Sequence, residues 1–208
     1  MFFVFDGIDG AGKSTQIQRF SQWLTERGHQ VVNCSDPGST ELGNRMRQIL
    51  LGKNEFSIHV RSEMLMFSVA RTQLVEEVVR PALEAGKTVV CDRYFFSTVV
   101  YQGHAGKLSI EEIMAVTNVA IDGMLPDATF LFDLPVDKAL ARITKDGAEL
   151  DRMESRGVEY FQAVRDGFIA ESKRYPETVE LIDATGSIDE IQADIQQRAI
   201  AYLQRGEK

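Results

Sequence analysis

The sequence predicts an α/β fold, one domain with a five-stranded parallel sheet and helices on both faces, and three observations predict it. Short apolar runs alternate with longer stretches of helical spacing along the chain, the pattern of strand–helix–strand units. The first run, Phe2-Phe3-Val4-Phe5, is apolar on both pleat faces, as expected of a central parallel strand covered by helices. Between it and the first helical stretch lies Gly7-Ile8-Asp9-Gly10-Ala11-Gly12-Lys13-Ser14-Thr15, a glycine-rich strand-to-helix turn.

The elements follow in order. From Ser14 to Arg27, Ile17, Phe20 and Leu24 recur at helical spacing, and Gly28 supplies a C-terminal stop. Gln30 to Cys34 is a second strand. Asp36 to Thr40 is a loop, with Ser39 or Thr40 placed to cap a helix from Glu41. After a break at Gly52 to Ser57, a long helical pattern runs from Glu63 to Glu84 through Met64, Phe67, Leu74 and Val78. Pro81 should kink or reset it near its C-terminal end. Thr88 to Cys91 is a third strand, ending in Asp92-Arg93-Tyr94. Helical stretches follow at Phe95 to Tyr101 and Ser109 to Met124, separated by Gly103 to Gly106. Ala128 to Leu134 is a fourth strand, stopped by Pro135, and Val136 to Ile143 is helical again. A charge-rich segment at about 144–157 reads as a mobile lid. Val158 to Tyr175 is a helix, Val179 to Asp183 a fifth strand, and Ile188 to Leu203 a last amphipathic helix. With no internal repeat or linker, residues 1–208 form one domain.

Composition narrows the function. A chain of 208 residues can bury a sizeable core, and its net charge of −8 argues against a broad nucleic-acid or anionic-membrane surface. A small anionic substrate remains possible, because a few local arginines outweigh the global field inside a cleft. Cys34 and Cys91 lie at the ends of apolar runs and read as buried reduced thiols, in keeping with a cytoplasmic setting. No apolar run approaches membrane-spanning length, and the start leaves no room for a removable signal.

The glycine-rich turn carries the chemistry. Its pattern, G-x-x-x-x-G-K-[ST], is that of a phosphate-binding loop and places the domain among three-layer P-loop NTPase folds. Gly7, Gly10 and Gly12 admit backbone angles that let successive N–H groups, from Ile8 and Asp9 through Ala11 and on to Thr15, turn around a phosphate chain. Lys13 can reach the terminal phosphates, Ser14 offers a hydroxyl to magnesium, and the following helix points its positive end at the same anion.

In such sheets ligands bind at the carboxyl ends of the strands, which gathers this loop, Asp36–Thr40, Asp92-Arg93-Tyr94 and Ala184–Ser187 into one cleft. Asp92 stands where a P-loop protein needs a carboxylate for magnesium, and Arg93 could bind phosphate through two parallel hydrogen bonds. Taken alone, an ion pair capping a helix would explain Asp92-Arg93-Tyr94 equally well; its place after a buried strand favours the site. Asp9 faces a sugar hydroxyl, a magnesium-bound water or an arginine, or is a solvated turn residue. Arg152 and Arg156 in the lid segment could supply charge to a phosphoryl transfer, or form a solvated helix face with i,i+4 pairs, which is the reading the residues alone favour.

Several segments together resemble the thymidylate kinase family. Phe5-Asp6-Gly7-Ile8-Asp9-Gly10-Ala11-Gly12-Lys13-Ser14-Thr15 resembles its opening, and Met66-Phe67-Ser68-Val69-Ala70-Arg71 its "LFxAxR" helix. Asp92-Arg93-Tyr94-Phe95-Phe96-Ser97-Thr98-Val99-Val100-Tyr101-Gln102-Gly103 is close to its "DRYxxSxxAYQG" string, the most specific part. Pro126 to Pro135 resembles "PDLTxxLDxP", and Asp151-Arg152-Met153-Glu154 the family's lid.

The resemblance implies transfer of the γ-phosphate of ATP to dTMP, with magnesium, by a homodimer. It implies that Phe67 stacks on the thymine ring, Arg71 donates to a base carbonyl, and Ser97 and Thr98 lie near the base edge. Gln102 would belong to the same acceptor pocket, and Tyr101 would crowd the sugar C2′ position. Arg93 would hold the acceptor phosphate, with Asp9 near the sugar 3′-hydroxyl or the attacking phosphate. Lys13, Ser14 and the loop amides would hold ATP phosphates, and Arg142 would meet the adenine face. The family carries its catalytic arginine either in the P-loop or in the lid. Gly10 and Ala11 leave no arginine in this loop, which points to Arg152, with Arg156 second. One departure concerns the loop that reads "REPGG" in many bacterial members and is Ser35-Asp36-Pro37-Gly38-Ser39 here. Two other readings are a P-loop kinase of a different nucleotide or nucleoside, and a nucleotide-binding switch. The switch lacks the N-K-x-D string that it would need.

Overall fold

The structure, a computed structural model, describes residues 1–52, 54–144, 151–153 and 156–206. Most of the expected lid, residues 145–150 and 154–155, lies outside the described residues.

Five parallel strands form one sheet: β1 (Phe2–Gly7), β2 (Val31–Ser35), β3 (Thr88–Asp92), β4 (Ala128–Asp133) and β5 (Val179–Asp183), in the order β2-β3-β1-β4-β5. The register pairs Phe5 with Asp92 and with Phe130, so β1, β3 and β4 end together at one edge of the sheet. All six residues of β1 are buried, which explains why its sequence shows no alternation. Phe3 and Phe5 pack with Phe20 and Phe130 at centroid distances of 5.2–6.0 Å, mostly edge-on or tilted. This aromatic cluster anchors the strand that delivers the glycine loop.

Around the sheet lie α1 (Lys13–Glu26), α2 (Glu41–Leu51), α3 (Val60–Leu74), α4 (Arg80–Glu84), α5 (Phe95–Thr98), α6 (Ile110–Ile121), α7 (Val136–Ile143), α8 (Val158–Arg174) and α9 (Ile188–Gly206). Thr40 caps α2, its hydroxyl accepting from the Gly43 N–H at 2.9 Å. Cys34 and Cys91 are buried and free, adjacent in the β2–β3 register.

Two helices differ from expectation. The stretch from Glu63 to Glu84 is reset at Pro81, which falls in the first turn of α4, but the reset runs through a wide π turn at Val75–Val79 that the spacing does not predict. A proline ring clashes with the carbonyl four residues back, here Glu77, and the wide turn moves that carbonyl aside. The stretch from Phe95 is α-helical only to Thr98 and continues as a π turn over Val99–His104, past the expected stop at Gly103. With an extra residue per turn, Val99 to Gly103 are all buried. This brings Tyr101 and Gln102 inward together.

Candidate active site

The glycine loop sits against β4 and α7 too closely for side chains. A Cβ on Gly7 (φ 134°) would lie 2.6 Å from the Phe132 carbonyl oxygen, and one on Gly10 (φ 77°) 2.5 Å from that of Ala139. Lys13 lies across the loop, its Nζ donating to the carbonyls of Gly7 at 3.0 Å and Ile8 at 2.9 Å. Burial, with the nearby Arg93 cation, pushes its pKa below the ordinary lysine value; Asp9, Asp92 and Asp6 oppose the shift. Ser14 and Thr15 are exposed in the first turn of α1. Arg142 on α7 donates from Nη1 to the Gly10 carbonyl at 3.4 Å and from Nη2 to that of Ala184 at 3.5 Å, joining the loop to the turn after β5.

Gly10, Gly12, Lys13, Ser14, Thr15 and Asp92 line an open cleft. Asp92, last residue of β3, keeps a buried Oδ1 with no hydrogen-bond partner among the described residues. A hydroxyl and a carboxylate oxygen on one cleft suit magnesium, which takes few protein ligands when substrate phosphates supply the rest. Among the described residues no cluster of three or more His, Cys, Asp or Glu forms a dedicated metal cage.

A second cavity brings together Asp9, Phe67, Arg71, Arg93, Ser97, Thr98, Tyr101 and Gln102, every residue that the family resemblance assigns to the acceptor. Arg71 is pinned at its base. Its Nε donates to Asp36 Oδ2 at 2.5 Å and its Nη2 to Thr98 Oγ1 at 2.9 Å, in an ion pair whose side chains are 1% and 0% exposed. Burial raises the Asp36 pKa, opposed by the charge and hydrogen bond of Arg71. Arg71 Nη1 is buried with no partner among the described residues, which leaves it for a ligand acceptor atom.

Arg93 follows β3 with φ 68°, a left-handed conformation that costs a non-glycine residue roughly 1–2 kcal/mol. Its surroundings hold it there. Nη1 donates to the Gly7 carbonyl at 2.9 Å, Ser97 Oγ at 3.1 Å and Asp6 Oδ1 at 3.3 Å, while Nη2 donates to Asp9 Oδ1. The Ser97 hydroxyl donates to Asp6 Oδ1 at 2.7 Å, so it braces Arg93 and reaches the cavity wall with its other atoms. Tyr101 donates to Asp9 Oδ2 at 3.0 Å. Burial alone would raise the Asp9 pKa, but Arg93, Lys13 and Tyr101 outweigh it and hold the carboxyl below the usual range. Asp6 sits deeper, and there burial prevails and raises its pKa against Arg93 and Ser97.

The two lid arginines do not form a solvated helix face. Arg152 Nη1 and Arg156 Nη2 both donate to Oε1 of Glu63, at 2.6 and 2.5 Å, beside the second cavity, which Asp151 and Met153 help to line.

Four site residues carried no role in the sequence reading. Asp6 braces Arg93; Asp36, noted there only as a departure, pairs with Arg71; Glu63 gathers the lid arginines. Arg47 on α2, bonded from Nη1 to the Pro37 carbonyl at 3.0 Å, lines both cavities. For Glu63 a signal existed: Glu63, Phe67 and Arg71 recur every fourth residue and so share one stripe of α3.

Asp9, Asp36, Arg47 and Arg93 line both cavities. A phosphate on the glycine loop and one in the second cavity would therefore meet at two arginines and two carboxylates, over a parallel P-loop sheet. Fold and site together define a P-loop phosphotransferase.

The comparisons give the family. Residues 5–195 match the family model described as thymidylate kinase. The chain is 40% identical to a thymidylate kinase of Exiguobacterium sp. (strain ATCC BAA-1283 / AT1b), over 99% of this chain and 97% of the relative. It is 41% identical to that of Thermosipho africanus, over 98% and 100%. Among solved structures, the thymidylate kinase from Ehrlichia chaffeensis superposes with a TM-score of 0.76 at 28% identity, covering 96% of this chain and 98% of that one. The chain belongs to the thymidylate kinase family.

Proposed function

We propose the following division of labour for the family reaction, phosphorylation of dTMP to dTDP by ATP. The observation that carries it is the meeting of a phosphate loop and an aromatic-lined cavity at Asp9, Asp36, Arg47 and Arg93. ATP lies on the glycine loop, with Lys13 and the loop amides on its phosphates and Arg142 against the adenine. dTMP enters the second cavity. Phe67 stacks on the base, Arg71 Nη1 donates to a base carbonyl, Thr98 and Gln102 complete the base edge, and Tyr101 crowds C2′.

The acceptor phosphate then attacks the γ-phosphate in line, and the protein contributes position and charge. Arg93, turned inward by Asp6 and Asp9, holds the attacking phosphate, and Arg47 flanks it. Lys13 and Arg152 spread the charge of the transition state, with Arg156 beside it. Ser14 and Asp92 would hold magnesium, which neutralises charge on the ATP phosphates.

A homodimer is part of this reading. Exposed Leu65 and Val69 on α3 and Val119 on α6 supply apolar surface on two helices that pack together. A cytoplasmic setting agrees with the two free cysteines; no described helix is long and apolar enough to cross a membrane.

The test is a coupled ADP-release assay over dTMP, dUMP, dCMP, dGMP and thymidine. dTMP should give the highest kcat/KM, and chelation of magnesium should abolish turnover. Faster phosphorylation of dCMP, dGMP or thymidine overturns the acceptor assignment, and ATP turnover without an acceptor points to a switch. Arg152→Ala should lower kcat roughly 100-fold while raising the dTMP KM far less, the pattern of a transition-state contact. If KM moves more than kcat, Arg152 is a binding residue and Arg156 takes the catalytic place.

A further inference from the structure

One carboxylate holds the acceptor side together. Glu63 is 1% exposed, in the first turn of α3, four residues before Phe67 and eight before Arg71. A buried carboxylate persists as an ion only if its lone pairs are taken up. Here Oε1 accepts from Arg152 Nη1 and Arg156 Nη2, while Oε2 accepts from Gln102 Nε2 at 3.2 Å. The arginines have further anchors. Arg152 Nε donates to the Leu50 carbonyl at 2.7 Å, and Arg156 lies over the Tyr160 ring and donates to its hydroxyl at 2.9 Å. That hydroxyl in turn donates to the Tyr101 carbonyl at 2.8 Å.

Two consequences follow. Two guanidiniums converge on one carboxylate, so Glu63 sets the positions of both cations relative to each other and to Gln102. Without Glu63 the same two cations repel each other. The second consequence concerns Gln102. An ionised carboxylate only accepts hydrogen bonds, so the amide must present its NH₂ to Glu63. This leaves Gln102 Oε1, buried and without a partner among the described residues, as an acceptor on a side chain that lines the acceptor cavity.

We propose that Glu63 is a positioning residue for the phosphoryl transfer: it sets where Arg152 and Arg156 stand and fixes the orientation of the Gln102 amide. This rests on the assignment of the cavity to dTMP. Glu63 itself lines neither cavity.

Glu63→Gln keeps the shape and removes the charge, and the full-length protein is assayed with ATP and dTMP. The expected result is a kcat lowered roughly 100-fold, the order that misplacement of a catalytic group costs. The dTMP KM should rise less than kcat falls. Glu63→Asp, which keeps the charge, should retain more of kcat than Glu63→Gln. A readout independent of activity accompanies these. Trypsin, with fragments identified by mass, should cut after Arg152 and Arg156 faster in Glu63→Gln than in wild type. If Glu63→Gln does not fold, Glu63→Asp is compared with wild type for a smaller loss of the same kind, kcat falling more than the dTMP KM rises, with cleavage after Arg152 and Arg156 still faster than in wild type. The inference is overturned if the folded variant keeps wild-type kcat, or loses activity through KM alone with unchanged cleavage. A wild-type protein that prefers another acceptor sinks the dTMP reading instead; accelerated cleavage at Arg152 and Arg156 would still support the role of Glu63 in placing them.

Discussion

Around Lys13 the site is made of backbone, and around Arg71 it is made of side chains. The phosphate loop uses glycines packed so close to the Phe132 and Ala139 carbonyls that a Cβ would lie only 2.5–2.6 Å from them, and its lysine rests on two main-chain oxygens. The second cavity instead hangs on buried and half-buried charges from distant parts of the chain: Asp36 on Arg71, Asp6 and Asp9 on Arg93, and Glu63 on Arg152 and Arg156. A backbone cradle reads any polyphosphate of the right length, whereas a side-chain cavity can be reshaped residue by residue. Loss of a single partner also harms it more, because the other charge stays buried. The two sides should therefore fail differently when altered.

The largest effect is expected on the donor side. Lys13→Ala should lower kcat roughly 1000-fold, since it removes a charge aimed at the transition state. The thermal midpoint should scarcely move, because Lys13 anchors only loop carbonyls. Initial rates with calorimetry decide it, and retained turnover would remove the lysine from the mechanism.

On the acceptor side stability and binding should fall together. Arg71→Met leaves Asp36 buried and unpaired, at a cost of about 3–5 kcal/mol. For a domain of this size that lowers the midpoint by roughly 10 °C. Adding Asp36→Leu should restore much of the midpoint but none of the dTMP affinity. A double variant that recovers both would show that Arg71 serves the fold alone.

The smallest effect concerns pH. Burial and Arg93 depress the pKa of Lys13, so in free protein its ammonium is lost at lower pH than in an ordinary lysine. The alkaline limb of kcat/KM for ATP, which reports the free enzyme, should therefore fall below the lysine range. Bound phosphates raise that pKa again, so the limb of kcat should lie at higher pH. Limbs in the opposite order would assign the titration to another group.

The same contrast explains what was legible in the sequence. The phosphate loop could be read directly, since its chemistry depends on the spacing of nine consecutive residues. The five strands fell within two residues of their observed ends, β1 running on two residues past its apolar run, because apolar runs mark them. Phe67, Arg71 and Tyr101 needed the family resemblance, as nothing local distinguishes them from core residues. Asp6 and Glu63 escaped because their partners lie far along the chain: Arg93 is 87 residues from Asp6, and Arg156 is 93 from Glu63. The π turns escaped because an apolar run in helical spacing does not announce an extra residue per turn.

The position of β1 in the middle of the sheet also bears on how the chain is made. Phe2 pairs with Val89, and Phe3 with Ala128, so the strand that carries the phosphate loop leaves the ribosome long before either neighbour exists. At about 5–20 residues per second, β1 waits roughly 6–25 s for its second partner. Until β3 emerges, three phenylalanines and a valine have no sheet to join, and one edge of the strand stays open until β4 follows; such long-range pairing is the slow kind. The segment with the sharpest chemical signature is thus also the one that a nascent chain must shield longest.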